Sequence, residues 1–296
     1  MALNNKTLEN QLRITADERV RLCQRVISYV ESCQVEDGGY FFARIAPASL
    51  TDTYYAVSTL AILGKRPERV DRVVNYVNGL NDSDILSDWR GIFAACVVLS
   101  IIDSPLTICR DAAIRLLASR GLPLDCLQAH SLYVEVVSEL ENLASAVSVM
   151  CILRLPFDST GLKSYLANAQ NADGSFGSAG RSRIATSFYA TQICRILDWS
   201  PYFLNKTLDF LKYQEKVWPV AFIEDVFWLC GGLANLGIEL ECADKAIDFA
   251  LSCERERGGF SRSNVIGIRT LESTYYGISV LNTAGYFDGL SERRIV

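Results

Sequence analysis

The sequence predicts an all-α fold in which six pairs of helices close into a ring of twelve around a central cavity. Three observations lead there. A turn and helix start recur three times, as Asp37-Gly38-Gly39-Tyr40 to Thr53-Tyr54-Tyr55, Asp173-Gly174-Ser175-Phe176 to Ser187-Phe188-Tyr189, and Gly258-Gly259-Phe260 to Thr274-Tyr275-Tyr276. Gly38, Gly174 and Gly258 stand 136 and 84 residues apart, close to three and two units of a period of about 40–45 residues, the spacing of a repeat protein. Between the copies, helices with one apolar stripe alternate with helices that are apolar nearly all round.

The striped helices come first in each pair. Apolar residues at i, i+3, i+4 and i+7 mark Cys23, Val26, Ile27 and Val30; Val70, Val73, Val74 and Val77; Leu162, Tyr165, Leu166 and Ala169; and Ala246, Phe249, Ala250 and Cys253. Shorter versions occur at Ala113, Leu116 and Leu117 and at Leu204, Leu208 and Leu211. These are the outer helices. Each precedes a more uniformly apolar one: Thr53–Leu63, Gly91–Ile101, Leu143–Leu153, Ser187–Ile196, Val226–Leu236 and Thr274–Leu281. A helix apolar on most sides belongs to an inner layer. Gly64 with Pro67, Gly237 and Gly285 supply helix-end signals. No strand alternation competes. The third unit carries an extra stretch, Gly121 to Glu141, expected to add a helix or loop.

With no linker rich in Pro, Gly or Ser, residues 1–296 are expected to form one domain behind a polar N-terminal segment of about 1–15. Half the residues are hydrophobic. The longest uncharged apolar stretch, Gly91 to Ile102, is shorter than the roughly 20 residues that span a bilayer, so no transmembrane segment is expected. Met1 to Arg13 lacks the apolar core of a secretory signal. Ten cysteines without such a signal point to reduced, buried thiols and a cytoplasmic location. A net charge of −5 without long basic runs argues against nucleic-acid binding.

These motifs resemble the prenyltransferase and squalene-cyclase repeat superfamily, whose members fold as α/α toroids. Gln170-Asn171-Ala172-Asp173-Gly174-Ser175-Phe176-Gly177 is similar to the signature turn of protein prenyltransferase β subunits, above all the Rab geranylgeranyl type, and Lys245 to Leu281 resembles their last repeat. The resemblance implies an isoprenoid diphosphate or other polyprenyl ligand, and a partner like the α subunit. It would also imply zinc, held by an Asp, a Cys two residues later, and a His. The Asp-x-Cys pair falls on Asp225-Val226-Phe227, or on Phe222-Ile223-Glu224 in a second register, and the His on Ser273. Neither thiol nor imidazole survives, and zinc needs about four N, S or O ligands, so no metal or other cofactor is expected. Cys126 and His130, the only histidine, read as structural. The cyclases' acidic Asp-x-Asp-Asp-Thr is reduced to Asp52-Thr53, with Thr51 in place of the usual proton donor.

Six residues align at the inner-helix starts: Asp52, Arg90, Asn142, Thr186, Asp225 and Ser273. All but Arg90 suit N-capping, and Asp52 and Asp225 could cap and face the cavity together. Glu224 and Asp225, adjacent and flanked by Phe222, Phe227 and Trp228, are candidate acids, because burial and mutual repulsion raise a carboxyl pKa. Asp52, Glu224 and Asp225 are therefore the catalytic candidates for a proton-initiated cyclisation. By its position in the resemblance Arg183, with Arg181 and Arg269 near it in kind, is expected to hold a diphosphate. Tyr54, Phe188, Phe227, Trp228 and Tyr275 are expected to line an isoprenoid pocket, with at most one of each aromatic pair facing the lumen, since neighbours on a helix point about 100° apart. The resulting expectation is a metal-free, isoprenoid-binding toroid. The competing expectations are a non-catalytic protein-interaction toroid and a zinc-independent prenyltransferase completed by a partner subunit.

Overall fold

A computed structural model describes residues 15–80, 84–123, 136–177, 182–200 and 202–289. Cys126, His130 and Arg181 lie outside them. The described residues form twelve α-helices in alternating outer and inner positions. The outer helices are α1 (Ala16–Glu31), α3 (Val70–Asn78), α5 (Thr107–Arg120), α7 (Ser159–Ala169), α9 (Leu204–Val217) and α11 (Ala243–Ser252). The inner helices are α2 (Leu50–Ile62), α4 (Trp89–Ile101), α6 (Val136–Ile152), α8 (Ser182–Ile196), α10 (Ile223–Asn235) and α12 (Leu271–Thr283). Each inner helix packs on the next in chain order, and α12 packs back on α2. The ring is closed.

Burial explains the two composition types. The outer helix α1 buries one stripe, Leu22, Cys23, Val26, Tyr29 and Val30, and leaves its other side in water. The inner α12 buries Leu271, Ser273, Thr274 and every residue from Tyr276 to Leu281. The inner helices begin two to seven residues earlier than the apolar pattern suggests. Their first turns mix apolar and polar residues, as in Leu50-Thr51-Asp52 and Leu271-Glu272-Ser273, where only Thr51 and Glu272 are exposed. Ser49, Asp88 and Thr270 cap α2, α4 and α12, each accepting from a backbone N–H three residues on.

The repeated turn is the device that joins units. Gly38, Gly174 and Gly258 all have positive φ, +101°, +86° and +76°. A Cβ on any of them would run into a backbone carbonyl of an outer helix: Arg72 in α3, Lys206 in α9 and Arg25 in α1, respectively. Each turn thus follows one outer helix and docks on the next. The third copy docks on the first helix of the chain and so seals the ring. Arg25 strengthens that seam with a 2.6 Å ion pair to Glu254, and Arg19 donates to the carbonyls of Tyr286 and Asp288.

Two features depart from expectation. A two-residue antiparallel ladder, Phe260–Ser261 against Arg269–Thr270, pins the last loop. The nine cysteines among the described residues are free thiols, but Cys151, expected in the core, is exposed. No helix among the described residues is long and apolar enough to cross a membrane.

Candidate functional site

The inner helices point their N-terminal turns at one end of the ring, where a cavity of about 460 Å³ opens between them. All six contribute. Thr51, Tyr54 and Tyr55 come from α2, Phe93 and Ala94 from α4, Glu141 and Ser145 from α6, Phe188 and Tyr189 from α8, Phe227 from α10, and Tyr275 and Tyr276 from α12. The aromatics interlock. Phe227 lies 5.3 Å from Phe188, 5.7 Å from Tyr275 and 4.7 Å from Tyr276, centroid to centroid. Tyr54 lies 5.6 Å from Tyr275 and 5.7 Å from Phe93. Such tilted pairs bring the positive ring edge of one partner to the negative face of the other.

Both members of three aromatic pairs reach the cavity, where one of each was expected. In α2, α10 and α12 the fifth residue, Tyr54, Phe227 or Tyr275, lines the lumen, and in α8 the seventh and eighth, Phe188 and Tyr189, do so. The sixth residues of α2 and α12, Tyr55 and Tyr276, lie where those two helices meet and also belong to the lining. Tyr55 and Tyr276 meet across the α2–α12 seam with hydroxyls 3.3 Å apart, and both donate to Glu272 Oε1, at 3.2 and 3.3 Å. Trp228, at a sixth position, packs outward instead with Ile184, Leu211 and Leu233.

The mouth is acidic. Asp88 and Glu141 line it beside Arg90, which stands 3.8 Å from the first and 3.9 Å from the second. Burial raises the Glu141 carboxyl, opposed by Arg90 and reinforced by the charges of Glu272 and Asp88. Desolvation also pushes the hydroxyls of Tyr54, Tyr189 and Tyr276 well above the ordinary phenol range, so all three are neutral donors.

The carboxyls nominated from sequence sit nearby but are otherwise engaged. Asp52 accepts from the Phe42 N–H at 3.2 Å, with its carboxyl raised by burial. Asp225 accepts from the N–H groups of Ala221 and Phe222, both at 3.1 Å, and so holds the entry to α10. Glu224 bonds Arg262 at 2.5 Å, while burial raises its carboxyl. None of the three lines the cavity. The basic candidates are also apart from it. Arg269 donates to the carbonyls of Arg257 and Gly258 and lies over the Tyr29 ring, 4.7 Å from its centroid. Arg183 pairs with Asp173 at 2.9 Å in a larger groove of about 770 Å³. That groove runs along outer helix α9 past Asp209 and Tyr213, outside the ring, and shares no lining residue with the cavity.

Glu141 and Glu272 were missed for a reason of register. The alignment of helix starts rested on the third helical position, held by Asp52, Asp225 and Ser273. The second position, one residue earlier, is where Thr51, Arg90 and Glu272 stand, while Glu141 is the sixth residue of α6, one before the aligned Asn142. The third position is not the expected cap, since Ser49, Phe222 and Thr270 precede α2, α10 and α12. The second reaches the lining at Thr51 and Arg90 but not at Glu224, which Arg262 holds.

The residues at the positions that would hold zinc do not fit a metal. Asp225 is committed to two backbone N–H groups, Phe227 offers a ring, and the Ser273 hydroxyl accepts from Thr270 at 3.0 Å. Among the described residues no cluster of three His, Cys, Asp or Glu side chains is arranged to bind one.

The profile of the family described as "Prenyltransferase alpha-alpha toroid domain" matches residues 6–127, 124–217 and 221–295. Among solved structures, Candida albicans protein geranylgeranyltransferase-I complexed with GGPP superposes with a TM-score of 0.61 at 13% identity, covering 90% of this chain and 92% of that one. At that identity the likeness concerns the fold. No curated protein matches the sequence.

Proposed function

The chain belongs to the prenyltransferase alpha-alpha toroid family, and from that membership we propose that its central cavity binds the hydrocarbon chain of an isoprenoid. The observation that carries this reading is the aromatic lining: Tyr54, Phe93, Phe188, Phe227 and Tyr275 converge from five inner helices on one space. A branched, unsaturated chain gains from such a wall in two ways. Burial removes its apolar surface from water, and the ring faces attract the polarised hydrogens beside its double bonds. The volume falls within the roughly 300–1,000 Å³ typical of small-molecule sites. Consistent with this, the structurally similar Candida albicans protein geranylgeranyltransferase-I was solved complexed with GGPP.

The proposed binding uses no zinc; the donor set at Asp225, Phe227 and Ser273 supports that part. The chain's own residues then divide the work. The rings hold and bend the hydrocarbon, Tyr55 and Tyr276 with Glu272 form a hydrogen-bonded strap at the rim, and Glu141 sets the charge where the polar end of the ligand emerges.

The test is mass spectrometry of lipid extracted from the purified protein, followed by titration with prenyl compounds of increasing length. Co-purification or saturable binding of a prenyl chain supports the reading. An empty protein that binds none of them removes it.

A further inference from the structure

Resting on the isoprenoid reading, we infer that the cavity selects a prenyl ligand ending in an ammonium group over one ending in a diphosphate, with Glu141 and Glu272 reading the head group. Two independent observations meet at this place. The walls are aromatic rings, whose negative faces attract a cation and offer an anion nothing. The rim is lined by Asp88 and Glu141, with Glu272 held to it through the Tyr55 and Tyr276 hydroxyls. Arg90 is the one Lys or Arg among the described lining residues, and it is flanked at 3.8 and 3.9 Å by Asp88 and Glu141.

A diphosphate is held by several converging guanidinium, ammonium or backbone N–H donors, because its charge must be matched as it leaves water. Here the ionised side chains of the rim are carboxylates except for Arg90, which Asp88 and Glu141 flank, so they oppose a diphosphate that the inner-helix N-termini alone would favour. Arg183 and Arg269, the described cations expected from sequence to serve that role, pair with Asp173 and with the Arg257 and Gly258 carbonyls instead. An ammonium at the rim finds the Asp88 and Glu141 carboxylates in the same lining as five tyrosines, Tyr54, Tyr55, Tyr189, Tyr275 and Tyr276. Discrimination then comes from repulsion of one head group as much as from attraction of the other.

Isothermal titration of the full chain with farnesylamine, farnesol and farnesyl diphosphate decides the matter. The amine is expected to bind at least about tenfold more tightly than the diphosphate, with the alcohol between them. Glu141→Gln should shrink that ratio. Glu272→Gln, at an exposed side chain that carries no core packing, should shrink it too and guards against misfolding of the first variant. Tighter binding of the diphosphate would overturn the inference while leaving the isoprenoid reading in place. Binding of none of the three would take both away. A ratio unchanged in both variants would overturn the roles given to the two glutamates.

Discussion

The backbone N–H of Tyr40 donates to the hydroxyl of Thr53 at 2.9 Å, tying the glycine turn to the inner helix it precedes. The same bond recurs between Phe176 and Ser187 at 3.1 Å and between Phe260 and Thr274 at 3.0 Å. In two copies the hydroxyl also donates back one helical turn, Thr53 to the Ser49 carbonyl and Thr274 to that of Thr270. Tyr40, Phe176 and Phe260 are fully buried, so their N–H groups have no water to fall back on. Thr53→Val keeps the shape and deletes the acceptor. It should cost about 1–3 kcal/mol, the penalty for an unpaired buried donor, whereas Thr53→Ser should cost less than half as much. Urea denaturation of the two variants measures the difference; equal costs would mean the bond contributes little.

Ring closure gives a second comparison. Gly258 and Gly64 have similar backbone angles, φ +76° and +69°. A Cβ on Gly64 meets nothing within 4 Å, while one on Gly258 runs into the Arg25 carbonyl. Gly64→Ala should lose about 1 kcal/mol, for the strained backbone alone. Gly258→Ala carries the same strain and also pushes α1 away from the last turn. Its loss should be at least twice as large, with faster proteolysis in α1 as the sign of an opened seam. Equal losses in thermal unfolding would show that the approach to α1 is not what fixes this glycine.

That contrast marks what the sequence makes legible. The three glycine turns repeat because each copy meets the same steric demand, so the pattern exposes the ring before any coordinates do. The inner and outer layers are legible for a similar reason: burial on one side or on most sides leaves a period in the residues. The mouth is different. Its residues are not repeated: Thr51, Arg90 and Glu272 share the second helical position but not a chemistry, and Glu141 is the sixth residue of its helix. Asp225 and Glu224 carried the strongest chemical signal in the sequence, yet backbone N–H groups and Arg262 occupy them. Adjacent carboxylates near aromatics do not say which partner they have.

The buried carboxyls give a pH dependence of definite sign. Burial raises Glu31, Asp52, Glu141 and Glu224 above their ordinary values. Each therefore holds its proton more tightly folded than unfolded, and stability falls as pH rises from the ordinary carboxyl pKa through the raised one. Below both values the contribution is constant. Glu141→Gln removes one such group. The variant should gain in melting temperature relative to the parent at pH 7.5 and gain less at pH 4. A larger gain at the acidic end would contradict the assignment.

Chelation tests the metal-free reading separately. Prolonged dialysis against EDTA and phenanthroline should leave both melting temperature and prenyl binding unchanged, because Asp225, Phe227 and Ser273 offer a single carboxylate already engaged by two N–H groups. A loss restored by added zinc would show that other donors complete a site.

Filling the cavity distinguishes a lipid held in the ring from one held in the outer groove. Ser145 lies on α6 in the same cavity lining as Tyr54, Phe188 and Phe227, so a phenyl ring added there is expected to take up space in the lumen. Introducing bulk beside a pre-existing void avoids most of the 1–3 kcal/mol that overpacking of a filled core costs. Ser145→Phe should therefore melt within a few degrees of the parent protein while losing most of its prenyl binding. Tyr213→Ala alters the α9 groove instead, where Tyr213 is exposed and far from the lumen lining. It should leave binding intact. The reverse outcome, binding lost in Tyr213→Ala and kept in Ser145→Phe, would move the ligand out of the ring and into the groove beside Arg183.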